Sequence, residues 1–118
     1  MALPLRLPFG YRTYTCELTD VSTETSAYVP IAGRGKVVAV YTVLQGTVTG
    51  TSILTFKING TAMTGGTIAD VGTAAATVSS CFPYAANLVT AGQYLEAATN
   101  GGSTNTVRLT VTFVVREF

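Results

Sequence analysis

The stretch Lys36–Gly66 restricts the possible fold more than any other part of the sequence. Lys36–Gln45 is rich in β-branched and aromatic residues, which favour strands. Ile53–Ile58 alternates between strongly apolar positions and threonine or lysine, as a half-buried strand does. Asn59-Gly60 follows directly, and both residue types tolerate the positive φ angles that a type I′ turn requires. We expect Gly65-Gly66 to end the next short strand, so the whole stretch predicts antiparallel β-structure.

A second long strand is predicted at Thr106–Glu117. Apolar residues occupy every second position there, which indicates one buried face and one face against water or a polar partner. They are Val107, Leu109, Val111, Phe113 and Val115. Several short strands without a long helix indicate a sandwich or a barrel. Because the connection Gly46–Ser52 is long enough to cross between sheets, we expect an all-β, antiparallel, jelly-roll-like β-sandwich.

The other segments fit one domain at residues 11–118. Strands are predicted at Tyr11–Leu18, Ala27–Ala32, Ala74–Cys81 and Tyr94–Thr99, and Thr19–Ser26 is predicted to be a loop. The second of these strands contains Pro30, which lacks an N–H group, so it is expected at a sheet edge. Ala85–Val89 is expected to form a helical turn, with Asn87 as a capping residue.

Residues 1–10 are predicted to form an extended N-terminal arm. Leu3, Leu5, Leu7 and Phe9 alternate with Pro4, Arg6 and Pro8, so the apolar side chains share one side of an extended chain. Proline cannot donate a ladder hydrogen bond, which excludes an interior strand. Two alternatives remain open: the arm covers its own domain, or it binds a neighbouring subunit. The second makes Leu3, Leu5, Arg6, Leu7 and Phe9 candidate partner-binding residues.

The charge content limits the possible partners. Only 11% of the residues are charged, whereas about 25% is usual. Either hydroxyl groups cover the surface, or partner proteins cover much of it, and the second alternative predicts a homo-oligomer. The five Arg and two Lys residues are scattered and the net charge is +1, which argues against nucleic-acid binding.

The sequence pattern matches neither a transmembrane helix nor a secretory signal peptide. No apolar run approaches the roughly 20 residues of a transmembrane helix, so no membrane partner is expected. Pro4, Arg6 and Pro8 interrupt any secretory signal, and we therefore expect synthesis in a cytoplasm. In such a reducing compartment Cys16 and Cys81 are expected to be buried free thiols.

The residue types argue against catalysis. The chain has no histidine, which excludes Ser-His-Asp and Cys-His nucleophile systems and the commonest metal ligand. Two cysteines are too few for a zinc site without histidine. The carboxylates show no spacing that selects a catalytic pair; they are Glu17, Asp20, Glu24, Asp70, Glu96 and Glu117. We expect no catalytic residue, no metal and no cofactor, so the chain is expected not to be an enzyme.

Several segments resemble small head decoration (capsid cement) proteins from tailed-phage structural gene clusters, which have a β-sandwich of jelly-roll type. These segments are Leu54–Ala62, Thr64–Thr67, Asn87–Gly92 and Gly101–Ser103. The likeness covers about residues 35–115. That family often has Asp after the glycine of the Ala-Gly turn, where this chain has Gln93.

The resemblance implies a virion protein, made in the bacterial host cytoplasm, that forms a homotrimer on the outside of the capsid. Its expected partners are copies of itself and the major capsid protein. The alternative is a receptor- or glycan-binding β-sandwich of a phage fibre or tail. That function would use Tyr and Asn side chains in the loops Phe82–Asn87 and Asn100–Asn105.

Overall fold

The structure, a computed structural model, describes residues 10–118. These residues form nine β-strands in the described part of the chain. The strands are β1 (Tyr11–Leu18), β2 (Thr25–Pro30), β3 (Gly35–Leu44), β4 (Thr51–Ile58), β5 (Thr61–Val71), β6 (Val78–Cys81), β7 (Leu88–Val89), β8 (Tyr94–Thr99) and β9 (Leu109–Glu117). Within residues 10–118 no helix has the length and hydropathy to cross a membrane.

The strands form two antiparallel sheets. Sheet I has the order β1-β9-β3-β6, and β7 also pairs with β3; sheet II has the order β2-β8-β4-β5. Strands β1 to β4 alternate between the two sheets, as β8 and β9 do, which is the strand order of a jelly roll. The predicted all-β, antiparallel, jelly-roll-like sandwich is therefore confirmed.

The core lies between the inner faces of the two sheets. Phe56 of β4 and Phe113 of β9 are both fully buried, and their ring centroids lie 5.6 Å apart with the rings perpendicular. Such an edge-to-face pair adds about 0.5–1.5 kcal/mol to the stabilisation from burial alone. The predicted alternation in β4 and β9 is confirmed, because Leu54, Phe56 and Ile58 and every alternate residue from Val107 to Val115 are buried.

The turn between β4 and β5 has the predicted backbone geometry. Asn59 has a φ of 48° and Gly60 a φ of 85°, so both central residues lie in the left-handed region. This matches the two positive φ angles of a type I′ turn. The bounds predicted for β1 and β8 are also confirmed, and β2 is an edge strand as Pro30 indicated.

The prediction that Gly65-Gly66 ends a short strand is wrong. β5 continues through both glycines to Val71, and the pairing with β4 shifts between Thr55 and Lys57. Gly65 has a φ of 79°, and a Cβ atom there would lie 2.8 Å from the ring of Tyr84. The glycine pair therefore forms a bulge that bends the strand around an aromatic ring, instead of ending it.

Other predicted bounds also need correction, and β9 begins at Leu109 rather than at Thr106. β2 begins at Thr25, inside the predicted loop, and only Val78–Cys81 of the predicted strand Ala74–Cys81 pairs with β3. Ala85–Val89 contains no helical turn: Ala86 has a φ of 54°, and the chain then continues as β7. Asn87 does not cap a helix, because it is buried and its Nδ2 donates to the carbonyl oxygens of Val37 (2.7 Å) and Pro83 (3.2 Å).

The arm lies almost entirely outside the described residues. Leu3, Leu5, Arg6, Leu7 and Phe9 are among the residues that the structure does not describe. The described chain starts at Gly10, whose carbonyl oxygen accepts a hydrogen bond of 2.8 Å from the N–H of Glu117. The arm therefore joins the sandwich beside the end of β9, and the division into residues 1–10 and 11–118 stays a prediction.

Candidate binding surfaces

The carboxylates do not form an acidic centre in the structure. Glu17 lies 3.1 Å from Arg108, and Glu117 lies 3.2 Å from Arg12, measured between nitrogen and oxygen. Both ion pairs are partly exposed and contribute at most about 1 kcal/mol each. Over residues 10–118, no three His, Cys, Asp or Glu side chains are placed so that they could hold a metal ion.

The two cysteines are free thiols in the structure. Cys81 on β6 is buried, whereas Cys16 on β1 is only partly buried. Burial raises the pKa of each thiol to about 11. The reactive thiolate is therefore scarce at neutral pH, and neither cysteine has the electropositive surroundings that mark a catalytic thiol.

One edge of the sandwich carries exposed apolar side chains, which we call the aromatic edge. It consists of Tyr41, Val78, Phe82 and Tyr84, which are 42%, 65%, 59% and 72% exposed. The rings of Tyr41 and Phe82 meet edge to face, with centroids 6.3 Å apart. Exposed large apolar side chains grouped in this way mark interaction sites more often than single ones do.

The aromatic edge is held by backbone contacts between the two sheets. Tyr84 N–H donates to the carbonyl oxygen of Thr64 on β5 at 3.0 Å, and Thr64 N–H donates to Ala85 at 2.9 Å. The Tyr84 ring packs against Gly65, where a Cβ atom would lie 2.8 Å from two ring carbons and would leave no room for the ring. These contacts fix the segment in front of β7, so its aromatic side chains are presented in a defined geometry.

Sequence reasoning found only part of the aromatic edge. The sequence offers the loop Phe82–Asn87 only for the alternative function of glycan binding, and Tyr41 only as one of six tyrosines that could form a binding surface, whereas nothing in it points to Val78. Tyr41 lies on β3 opposite Ser80 of β6, on the outer face of sheet I. A tyrosine and a valine at outward positions of neighbouring strands are a usable signal once the register between β3 and β6 is known.

A second surface, which we call the polar groove, lies on the outer face of sheet II. It has a volume of about 590 Å³, and its lining includes Glu24, Tyr28, Lys57 and Asn100. Tyr28 is 61% exposed and meets Tyr94 edge to face at 5.4 Å. The groove thus combines an aromatic ring with charged and amide groups, the mixture that small polar ligands require.

The amides expected to bind ligand in the loop Asn100–Asn105 have structural partners. Asn100 Oδ1 accepts from the N–H groups of Ile53 and Gly102, both at 2.9 Å. Asn105 Oδ1 accepts from Thr49 N–H at 3.0 Å, and its Nδ2 donates to Thr47 at 2.6 Å. Together with buried Asn87, these amides stabilise loops, so Tyr28 and Lys57 are better candidates for ligand contact.

No protein-family model matches this sequence, and no curated protein matches it significantly. Solved structures share its fold. A carbohydrate-binding module, CBM36, in complex with calcium and xylotriose has a TM-score of 0.54 at 13% identity, over 95% of this chain and 94% of that one. A chain of the acid-stable capsid of Helicobacter pylori bacteriophage KHP30 has a TM-score of 0.50 at 10% identity, over 90% of this chain and 86% of that one.

The catalytic domain of a GH87 α-1,3-glucanase also matches, with a TM-score of 0.50 at 10% identity. The match covers 95% of this chain but only 28% of the glucanase chain, so this chain spans less than a third of that chain's length. At these identities the three likenesses concern the fold alone, and the same fold serves unrelated functions. This chain is thus a β-sandwich similar in fold to a phage capsid chain and to a carbohydrate-binding module.

Proposed function

We propose that the chain is a virion structural protein that binds the outer surface of a phage head and stabilises the shell. The observation that carries this proposal is the aromatic edge, an exposed and uncharged cluster next to the backbone hydrogen bonds between Thr64 and Tyr84–Ala85. Exposed aromatic side chains bury a large area with little loss of conformational freedom, and they dominate many protein interfaces. The low charge content of the whole chain supports a surface that partners cover.

Two further observations support this function. The fold is shared with a capsid chain of phage KHP30, and the sequence resembles head decoration proteins between about residues 35 and 115. A decoration protein acts by mass action, because it binds the assembled shell and not the separated subunits, and so stabilises the shell by its binding free energy. That role needs an adhesive surface and no catalytic group, and we assign no catalytic role to any residue.

The proposed assembly is a homotrimer that contacts the major capsid protein. In this proposal the aromatic edge binds one neighbour, and Leu3, Leu5, Arg6, Leu7 and Phe9 bind another. Burying an apolar side chain of that size contributes about 1.5–3 kcal/mol, so several together outweigh the ordering of a short arm. Pro4 and Pro8 stiffen the free arm and reduce that ordering further.

Head binding can be tested by co-sedimentation with heads of the encoding phage that were assembled without this protein. Phe82→Ser on the aromatic edge is expected to weaken binding about tenfold or more. Tyr28→Ser in the polar groove is the matched control, because Tyr28 on β2 and Phe82 directly after β6 are almost equally exposed. Unchanged binding of Phe82→Ser, or no binding by the unaltered protein, would contradict the proposal.

A second candidate function is glycan binding by a phage fibre or tail protein. The polar groove favours it, since Tyr28 offers an aromatic ring beside Glu24, Lys57 and Asn100. The fold is also that of CBM36, which was solved with xylotriose. A glycan array separates the two functions. Glycan recognition predicts saturable binding of one sugar, which Tyr28→Ser abolishes and Phe82→Ser retains. If the protein shows this binding and does not bind heads, glycan recognition replaces head binding as the proposed function.

A further inference from the structure

Near the β5 and β6 edges, four polar residues form a layer within the core. It consists of four inward-facing residues, two from each sheet: Thr42 of β3 lies opposite Ser79 of β6, and Ser52 of β4 lies opposite Asp70 of β5. Ser79 Oγ donates to Asp70 Oδ1 at 3.1 Å and so joins the two sheets. This hydrogen bond brings the four side chains into one cluster between the sheets.

Three oxygen atoms of this layer are buried without a hydrogen-bond partner among the described residues. They are Thr42 Oγ1, Ser52 Oγ and Asp70 Oδ2. Their residues are 2%, 0% and 2% exposed, so bulk water does not reach them. Buried polar atoms are almost always paired with protein or with ordered water, because an unpaired one destabilises the fold.

The neighbouring core residues cannot supply the missing partners. In the register of β4 and β5, the next inward pair is Leu54 and Ile68. On the β3 side the next inward positions are Val40 and Leu44. These four side chains carry no hydrogen-bonding group, and the hydroxyl of buried Thr99, opposite Leu54, already accepts from Gly101 N–H at 3.2 Å. A small molecule inside the layer would pair all three oxygen atoms at once.

We propose that Thr42, Ser52, Asp70 and Ser79 form an internal binding site for one water molecule that bridges the two sheets. A water molecule donates to Asp70 Oδ2 and accepts from the hydroxyl groups of Thr42 and Ser52, which pairs all three atoms. Buried waters typically make about three hydrogen bonds to groups of this kind. A calcium ion fits less well, because it takes about six to eight oxygen ligands and the layer offers a single carboxylate.

The site has a structural consequence for the sandwich. β5 and β6 are edge strands of their sheets, and only Ser79 and Asp70 join them by a side-chain hydrogen bond within the layer. The water molecule adds a contact from Asp70 to β3 and to β4. It thereby fixes the edge that also presents Phe82 and Tyr84.

A crystal structure at about 1.5 Å resolution tests the site directly. We expect one density peak within hydrogen-bond distance, about 2.6–3.2 Å, of Asp70 Oδ2 and of both hydroxyl oxygens. Two results would overturn the proposal: hydroxyl groups bonded directly to the carboxylate with no peak between them, or a peak with several contacts near 2.4 Å, the distance typical of a calcium ion.

Thr42→Val provides an independent test through the sign of its effect. If Thr42 Oγ1 bonds a water molecule, the variant loses that bond and its melting temperature falls by about 4–8 °C. If the hydroxyl is buried without a partner, its removal relieves a penalty and the melting temperature rises. Thr13→Val, at an exposed position on β1, is the control for the greater strand preference of valine. A rise in Thr42→Val beyond that of the control contradicts the proposal.

Discussion

At the scale of single residues, Asp70 should make stability depend on pH. Burial raises its pKa above the ordinary value of 3.8, and a hydrogen bond from Ser79 opposes this effect only in part. The groups that face it from β3, β4 and β6 are Thr42, Ser52 and Ser79, all uncharged. Neutral Asp70 is therefore favoured in the folded state. The resulting stabilisation is fully present below the pKa that Asp70 has in the unfolded chain, and it is lost as the pH rises through the pKa of Asp70 in the folded protein.

Asp70→Asn removes this titration. As the pH rises from the unfolded-state pKa of Asp70 through its folded-state pKa, we expect the free energy of unfolding of the unaltered protein to fall relative to that of Asp70→Asn. Above the folded-state pKa the difference should stay constant. Urea titrations at several pH values measure both free energies. Asp20→Asn is a control of opposite sign, because side-chain and backbone hydrogen bonds from Ser22 lower the pKa of Asp20. Parallel pH profiles for Asp70→Asn and the unaltered protein would refute the assignment.

Asn87 is the residue that sequence reasoning placed least well. Its hydrogen bond to the Val37 carbonyl oxygen cannot be predicted from the local sequence, because the two residues are far apart in the chain and only the fold brings β7 beside β3. Asn87→Ala leaves the carbonyl oxygens of Val37 and Pro83 without this donor, and we expect it to lower the free energy of unfolding by about 1–3 kcal/mol. Gln45→Ala removes one exposed hydrogen bond of 3.4 Å and serves as the control. Chemical denaturation measures the free energy of unfolding of both variants. If both lose the same amount, the buried hydrogen bonds of Asn87 contribute little.

At the scale of elements, periodicity predicted the strands with clear alternation and failed at strands that depend on distant contacts, including β5, the longest strand. β4, β8 and β9 have strong alternation or clear turn signals, so local chemistry determines them. β5 and β7 depend on contacts that are distant in sequence: Tyr84 packs on the Gly65 bulge, and β7 forms only because β3 offers it an edge. The polar groove and the aromatic edge likewise come from register between strands, which no single segment encodes.

The arm gives a prediction at this scale. Deleting residues 1–9 is expected to leave a monomer with an unchanged melting temperature that has lost oligomerisation or head binding. The described sandwich already buries the inner faces of both sheets against each other, which is the physical reason to expect an intact domain. The matched variant Arg6→Ala keeps the apolar residues and should lose at most about 1 kcal/mol of binding. If the truncated chain unfolds or aggregates instead, the arm belongs to the core.

At the scale of the whole molecule, the chain is expected to assemble with itself. Sedimentation at micromolar protein should give a trimer of 12.3 kDa subunits. Phe82→Ser in the same experiment shows whether the aromatic edge binds a sibling subunit or the shell. A trimer that persists in Phe82→Ser assigns this edge to the shell, whereas a clean monomer of the unaltered protein contradicts the trimer.

Shell stabilisation is the central claim, and heat-induced release of DNA from the phage head measures it most directly. Heads assembled without this protein should release their DNA at a lower temperature than complete heads, and adding the purified protein should restore the higher temperature in a concentration-dependent way. Phe82→Ser should restore it only at higher concentration, and Tyr28→Ser should match the unaltered protein. An identical release temperature with and without saturating protein would contradict the account.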